Sequence, residues 1–301
     1  MYKIIQNRKI FLSFSTLVAA ASIFALIFWG LNFGIDFSGG SLLEVKFEGY
    51  QPSITEIQEG LKDANLQNLV IQPTEDSVIL RFKDDTENAH RAAVGGLAAL
   101  ANGKEGASFK ELQFDSVGPT IGQELKSKSF NAAIIVFLMI IIYISMVFRK
   151  VSLPVASWKY GVTALVALFH DVLFTLGVFS VLGHFYGTEI NASFIAAILT
   201  VLGYSINDTI IVFDRIRENL PKSQEDFENT INRSVNQTIS RSINTSFSSL
   251  LVLVAIIIFG GATIKDFALA LAVGITVGTY SSIFIASPLL VVWEKLARRM
   301  R

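Results

Sequence analysis

The chain reads as six long apolar runs separated by one long and several short polar stretches. The runs cover roughly 10–31, 130–148, 160–182, 192–213, 246–263 and 267–291. Each approaches the ~20 residues that a helix needs to cross the hydrocarbon core, so the pattern predicts six membrane-spanning helices. The first run follows Lys3, Arg8 and Lys9 and contains Ala19-Ala20-Ala21, as an export signal would. It continues well past those alanines, too far for a signal's apolar core. It reads as a retained helix.

Between the first two runs the period changes. Residues 41–50 (SLLEVKFEGY) read as a strand, and Ser53 with Glu56 forms a capping box that opens a helix through about Asn65. Strands follow at 69–73 and 77–83, joined by Thr74-Glu75-Asp76. Asp84-Asp85-Thr86 precede a second helix at about 87–101, which Asn102-Gly103 ends, and 108–118 reads as a last strand. The order β-α-β-β-α-β predicts a ferredoxin-like unit. The fold class expected is therefore an all-α six-helix membrane bundle with an α+β ferredoxin-like domain between helices 1 and 2.

The expected organisation is an N-terminal segment and first span over 1–33, the α+β domain over 34–129, spans 2–6 over 130–293 and a basic tail over 294–301. A ferredoxin-like unit has no fixed function. Two readings of it stand: it contacts a substrate or partner outside the membrane, or it is a rigid cap that helps assembly. Asp84-Asp85 read as a solvated face and helix cap.

Composition agrees with the spans: 51% of residues are hydrophobic, 24 are Phe, and the mean hydropathy is +0.51. The net charge is zero, so no global field favours nucleic acid. The absence of cysteine excludes disulfides, thiolate metal sites and cysteine nucleophiles. No Walker A, HExxH or GxSxG pattern and no histidine cluster occurs, so nothing supports enzymatic catalysis or a metal site.

Basic residues set the orientation. Lys3, Arg8 and Lys9, then Arg149, Lys150 and Lys159, then Arg215, Arg217, Lys222, Arg233 and Arg241, then Lys295, Arg298, Arg299 and Arg301 all fall on one side. The short loops on the other side hold only Lys265. The positive-inside rule then places both termini in the cytoplasm and 34–129 outside a multi-pass protein of the cytoplasmic (inner) membrane.

Polar groups inside the runs carry the candidate chemistry. The fourth run holds Ser205, Asn207 and Asp208, and the third holds His170-Asp171. An ionisable group at bilayer depth costs at least ~2.5–3.5 kcal/mol and usually marks an ion or proton path. Thr200, Tyr204 and Asp208 fall at i, i+4, i+8, on one helix face. A carboxyl there exchanges its proton as water or a cation reaches or leaves it. The alternative is a static polar anchor between helices, with Asn and Ser as interhelical glue.

Arg241, in SRSINTSFSSL, opens the fifth run. It either leans inward to pair with Asp208 or serves as ordinary positive-inside anchoring. Asp171 is either a satisfied polar partner of His170 or a proton or gating group. His90 and His184 suggest no role. Asp214-Arg215 and Arg217-Glu218 read as an interfacial stop. Gly274 and Gly278 form a small-xxx-small pair suited to close helix packing. In FGIDFSGGS (33–41), Gly39 and Gly40 permit a tight turn or unusual dihedrals. That run is not a GxGxxG dinucleotide loop.

Three of these stretches together resemble one family. FGIDFSGG after the first run, GYSINDTIIVFDRIREN across the end of the fourth and SRSINTS opening the fifth resemble the SecF branch of the SecD/SecF family, within the resistance-nodulation-division (RND) superfamily. The likeness extends over essentially the whole chain. It implies an accessory subunit of the Sec export machinery that works with SecD. That pair uses the proton-motive force to help preproteins emerge. It implies protons as the coupling ion, no other cofactor, and association with the SecYEG channel and a YajC-like subunit.

The resemblance also implies that the intramembrane proton path uses Asp208 and Arg241, the other essential carboxylate belonging to SecD. Asp36 is then structural, positioning the outer domain. A passive scaffold, or half of an RND-type exporter of small molecules or lipids, remains the alternative.

Overall fold

The computed structural model describes residues 1–74, 76–104, 106–147 and 155–299. The chain divides into two compact units, one of residues 33–130 and one of 1–32 with 131–301.

The first unit is the ferredoxin-like one. Its strands are β1 (Gly40–Glu48), β2 (Val70–Pro73), β3 (Val78–Phe82) and β4 (Ser108–Val117), in the sheet order β2-β3-β1-β4. Every neighbouring pair is antiparallel, with Leu43 opposite Leu80 and Phe114. Alternation buries Leu43, Val45 and Phe47 of β1 on one face. Helices α3 (Ile54–Gly60) and α4 (Glu87–Asn102) cover that face with Ile57, Leu61, Ala93 and Leu97. Both arms of the expected capping box form: the Glu56 N–H donates to Ser53 Oγ and the Ser53 N–H to Glu56 Oε2. Gly103 ends α4 in a right-handed conformation rather than as a left-handed cap. Thr74 closes the β2–β3 turn by donating its N–H to the Ser77 carbonyl at 2.8 Å.

The run FGIDFSGG folds as a short helix, α2 (Ile35–Ser38), entering β1. Gly39 and Gly40 have φ of +75° and +122°. A Cβ on Gly39 would stand 2.8 Å from Pro119 Cα, and one on Gly40 2.6 Å from the Phe82 carbonyl oxygen. Both the dihedrals and the room exclude any other residue. The expected tight turn is present, and it brings the start of α5 (Pro119–Val147) against α2.

The second unit contains α1 (Arg8–Phe28), the rest of α5, α6 (Ser157–Tyr186), α7 (Ala192–Asn219), α8 (Phe227–Phe259), α9 (Ala262–Ser281) and α10 (Ser287–Arg299). A π turn, Ser282–Ala286, joins α9 to α10 into one span. Six helices are long and apolar enough to cross a membrane. The α9–α10 span is central, 72% of its apolar window being buried, against 6% for α5. α6 and α7 complete the middle of the bundle.

Small residues permit this packing. A Cβ on Gly274 would lie 2.2 Å from Val201 Cγ2, and one on Gly278 2.9 Å from Ser205 Cβ. The pair therefore does bring α9 close against α7. Gly177 of α6 meets Ser22 of α1 in the same way, and Ser180 Oγ donates to the Ala25 carbonyl at 2.9 Å.

Two helices begin well before their apolar runs. α5 starts at Pro119, the residue type best suited to a first helical position, and α8 starts at Phe227, capped by Asp226. The early part of α8 buries Thr230, Ile231, Ser234, Val235 and Thr238, a face of mostly small polar residues that hydropathy alone scores as loop.

Candidate functional site

Asp171 sits in the middle of α6 with no solvent exposure. Its Oδ2 accepts hydrogen bonds from Ser205 Oγ of α7 at 2.6 Å and from Ser281 Oγ of α9 at 2.7 Å. His170 Nδ1 lies 3.4 Å from Oδ1. One carboxylate thus ties three helices together at the centre of the bundle. The hydroxyls continue past it. Thr209 Oγ1 donates to the Ser205 carbonyl at 3.1 Å and lies 2.8 Å from Ser282 Oγ, the first residue of the π turn. π turns inside helices favour such functional positions.

Asp208 belongs to α7, one turn beyond Ser205, and is 6% exposed. Ser242 Oγ of α8 donates to its Oδ1 at 2.5 Å. Its Oδ2 is buried and has no hydrogen-bond partner among the described residues. A buried carboxylate oxygen without a protein donor is costly and uncommon. Tyr204 Oη, one turn earlier, bonds Ser246 Oγ at 3.4 Å, and Ser246 bonds Thr279 of α9.

The residues singled out from sequence are distributed unevenly about these two acids. Ser205 serves Asp171 rather than Asp208. Arg241 is exposed and does not bond the carboxylate of Asp208, although its charge acts on it through space. The reason is angular: Ser242 faces Asp208, and its neighbour Arg241 points about 100° away round the helix. Asn207 is exposed for the same reason, being one residue from Asp208. Thr200 is exposed too, and its hydroxyl turns back to the Ala196 carbonyl at 2.8 Å. Asp36 lies within α2 of the other unit, and Gly39 and Gly40 form the passage from α2 into β1.

Sequence reasoning missed a set of charges at the end of the bundle where both termini lie. Lys159 Nζ of α6 is 2.6 Å from Glu294 Oε2 of α10, both nearly buried. Arg8 of α1 and Lys295 of α10 both pair with Glu228 of α8. Nearby, Tyr2 is held at its N–H and carbonyl by Asn236, and Asn232 accepts from the Ile5 N–H at 3.1 Å. The partners come from helices far apart in the chain, Lys159 and Glu294 by 135 residues and Arg8 and Glu228 by 220, so no local pattern signals them.

Six membrane-crossing helices with two buried acids at the centre, and a ferredoxin-like unit inserted after the first, define a half-bundle membrane protein of the RND-like class. Residues 98–296 match the family described as protein export membrane protein SecD/SecF, C-terminal, and residues 24–49 match the SecD/SecF GG motif. The chain belongs to the SecD/SecF family of protein export membrane proteins, among its SecF translocase subunits.

The protein translocase subunit SecF of Thermobaculum terrenum is 41% identical, the match covering 98% of this chain and 94% of that protein. SecF of Anaerolinea thermophila is 38% identical, with the same coverage. Among solved structures, SecDF of Thermus thermophilus, a translocon-associated membrane protein, superposes with a TM-score of 0.83 at 31% identity over 98% of this chain. This chain spans 39% of the length of that SecDF chain.

Proposed function

We propose that this chain is a proton-responsive subunit of the Sec export machinery, working with a SecD-type subunit to promote preprotein translocation and release. The observation that supports this most is Asp208: a buried carboxylate, half bonded, at bilayer depth. An acid held this way gains or loses a proton with a direct effect on the helices it joins, here α7 and α8. The membrane potential supplies ~2.3 kcal/mol per charge per 100 mV, and ~1.4 kcal/mol is a tenfold shift in a two-state equilibrium. Arg241 stands one residue from the bonded serine, about 100° round α8, where its charge acts on the carboxylate through space.

In this reading the termini face the cytoplasm, the ferredoxin-like unit faces outward to meet the emerging preprotein, and the site is completed by the other essential carboxylate, from the SecD-type partner. The reading includes association with SecYEG and a YajC-like subunit, as the resemblance to the family implies. Protons are the coupling ion. The rival reading, a passive scaffold, draws support from Asp171, whose oxygens are supplied with donors as a structural tie would be.

The substitution Asp208→Asn separates the two. Inner-membrane vesicles carrying the variant with its partner subunit should assemble normally and lose the stimulation of export by a proton gradient. Full stimulation by Asp208→Asn would leave the scaffold reading standing.

A further inference from the structure

The charge cluster at the terminal end of the bundle takes no part in the site described above. Glu294 and Lys295 are neighbours on α10 and reach in different directions. Glu294 binds Lys159 on α6, where both side chains are 10% exposed. Lys295 binds Glu228 on α8, and Arg8 of α1 binds the same carboxylate at 3.3 Å. Trp293 packs edge-on against Trp158 at 4.9 Å, beside the Lys159 pair. Tyr160 is fully buried, within electrostatic reach of Glu294 and of Arg217 on α7. The end of α10 is thus held to α6 by a shielded ion pair and to α8 by a half-exposed one, whose Glu228 also takes Arg8 of α1.

Burying an ion pair is a poor way to gain stability, since desolvation cancels much of the attraction. It is a good way to build a contact that is tight when closed and easily hydrated when open. α10 is also the segment that lies beyond the π turn, whose far side carries Ser281 on Asp171 and Ser282 on Thr209. A π turn interrupts the regular hydrogen-bond ladder, so it is where this span bends most readily.

We propose that Lys159–Glu294, backed by Arg8–Glu228–Lys295, is a latch that seals this end of the bundle and opens during each proton-driven cycle by movement of α10 about the π turn. This rests on the proton-responsive reading given above. The latch opens the water path from this end toward the central acids, and its closure keeps the bundle from leaking protons.

The chain contains no cysteine, so a pair of introduced thiols is unambiguous. In vesicles containing the full chain and its partner subunit, Lys159→Cys/Glu294→Cys is treated with a short, reducible bis-methanethiosulfonate crosslinker. The latch predicts that crosslinking slows at least several-fold when the vesicles are energised. It also predicts that the crosslinked chain loses gradient-stimulated export and regains it on reduction. Equal crosslinking rates with and without a gradient, or full stimulation while crosslinked, overturn it. The charge swap Lys159→Glu/Glu294→Lys, which re-forms the pair, must restore the export that Glu294→Lys alone loses; failure to do so also overturns it. The latch and the parent reading fail separately. Gradient-dependent crosslinking with export indifferent to the gradient in the unmodified chain sinks only the latter.

Discussion

Ser205 gives its hydroxyl to Asp171 on the neighbouring helix, not to Asp208 three residues along its own. The two acids are therefore built differently. Asp171 is a filled junction, and Asp208 is a half-filled one. That difference orders the expected effects of substitution.

At Asp171, Leu should destabilise more than Asn. Leu leaves the buried hydroxyl of Ser205 without its acceptor, at about 1–3 kcal/mol, while Ser281 falls back on the Gly278 carbonyl. Asn keeps one carbonyl oxygen to receive them. Thermal unfolding in detergent should rank wild type above Asp171→Asn and both above Asp171→Leu. An unchanged melting temperature for the Leu variant would contradict the junction.

Gly274→Ala should loosen the bundle by about 1–3 kcal/mol through overpacking, because the new methyl meets Val201 at 2.2 Å. Gly203→Ala on α7 is the control, since nothing lies within 4 Å of its Cβ position. Adding Val201→Ala to Gly274→Ala should recover part of the loss. Equal melting temperatures for the two single alanine variants would show that α7 and α9 are not in close contact.

Outside the membrane, the hydroxyl of Tyr50 and the N–H and hydroxyl of Ser53 lower the pKa of Glu56 to about 2 from an ordinary 4.5. The sign follows from linkage. Glu56 contributes to the α3 cap in full above about 4.5, and the contribution fades as the pH falls toward 2. Tyr50→Phe removes the largest cause, so it should move the Glu56 titration upward in an NMR pH series. An unmoved titration would mean that Tyr50 does not bond this carboxylate in solution.

Asn232 is 2% exposed, and both ends of its amide hold the N-terminal segment. Asn232→Ala should loosen residues 1–7 on α8, leaving the Ile5 N–H without its acceptor. Limited trypsin digestion after Lys3 should then run at least several-fold faster than in wild type. Unchanged cleavage would show that the remaining contacts, Asn236 on Tyr2 and Asn229 on Gln6, suffice to hold the segment.

Much of this structure is readable from residue patterns because its strongest signals are local. The six spans follow from apolar length, and the sheet follows from alternation bounded by caps such as Ser53 and Glu56. The start of α8 is different. Its buried face is made of Thr230, Ser234 and Thr238, which look like loop residues to a hydropathy count but are small enough to pack.

The candidate acids were legible because carboxylates in apolar runs are conspicuous, whereas their partners were not. Which serine serves which acid depends on rotation about two helix axes, and one residue is about 100°. Lys159 and Glu294 were opaque for the same reason, with the added distance of 135 residues between them.

The π turn at Ser282–Ala286 carries this angular problem further. Such a turn absorbs one more residue than an α-helical turn. A helical wheel drawn straight across the last span is therefore out of phase beyond residue 286, and it places Trp293 where Glu294 stands. The surplus residue acts as a phase shifter. A one-residue deletion within it should leave the facing of the far end intact, because the turn reverts to regular helix. The same deletion inside α6 twists everything downstream.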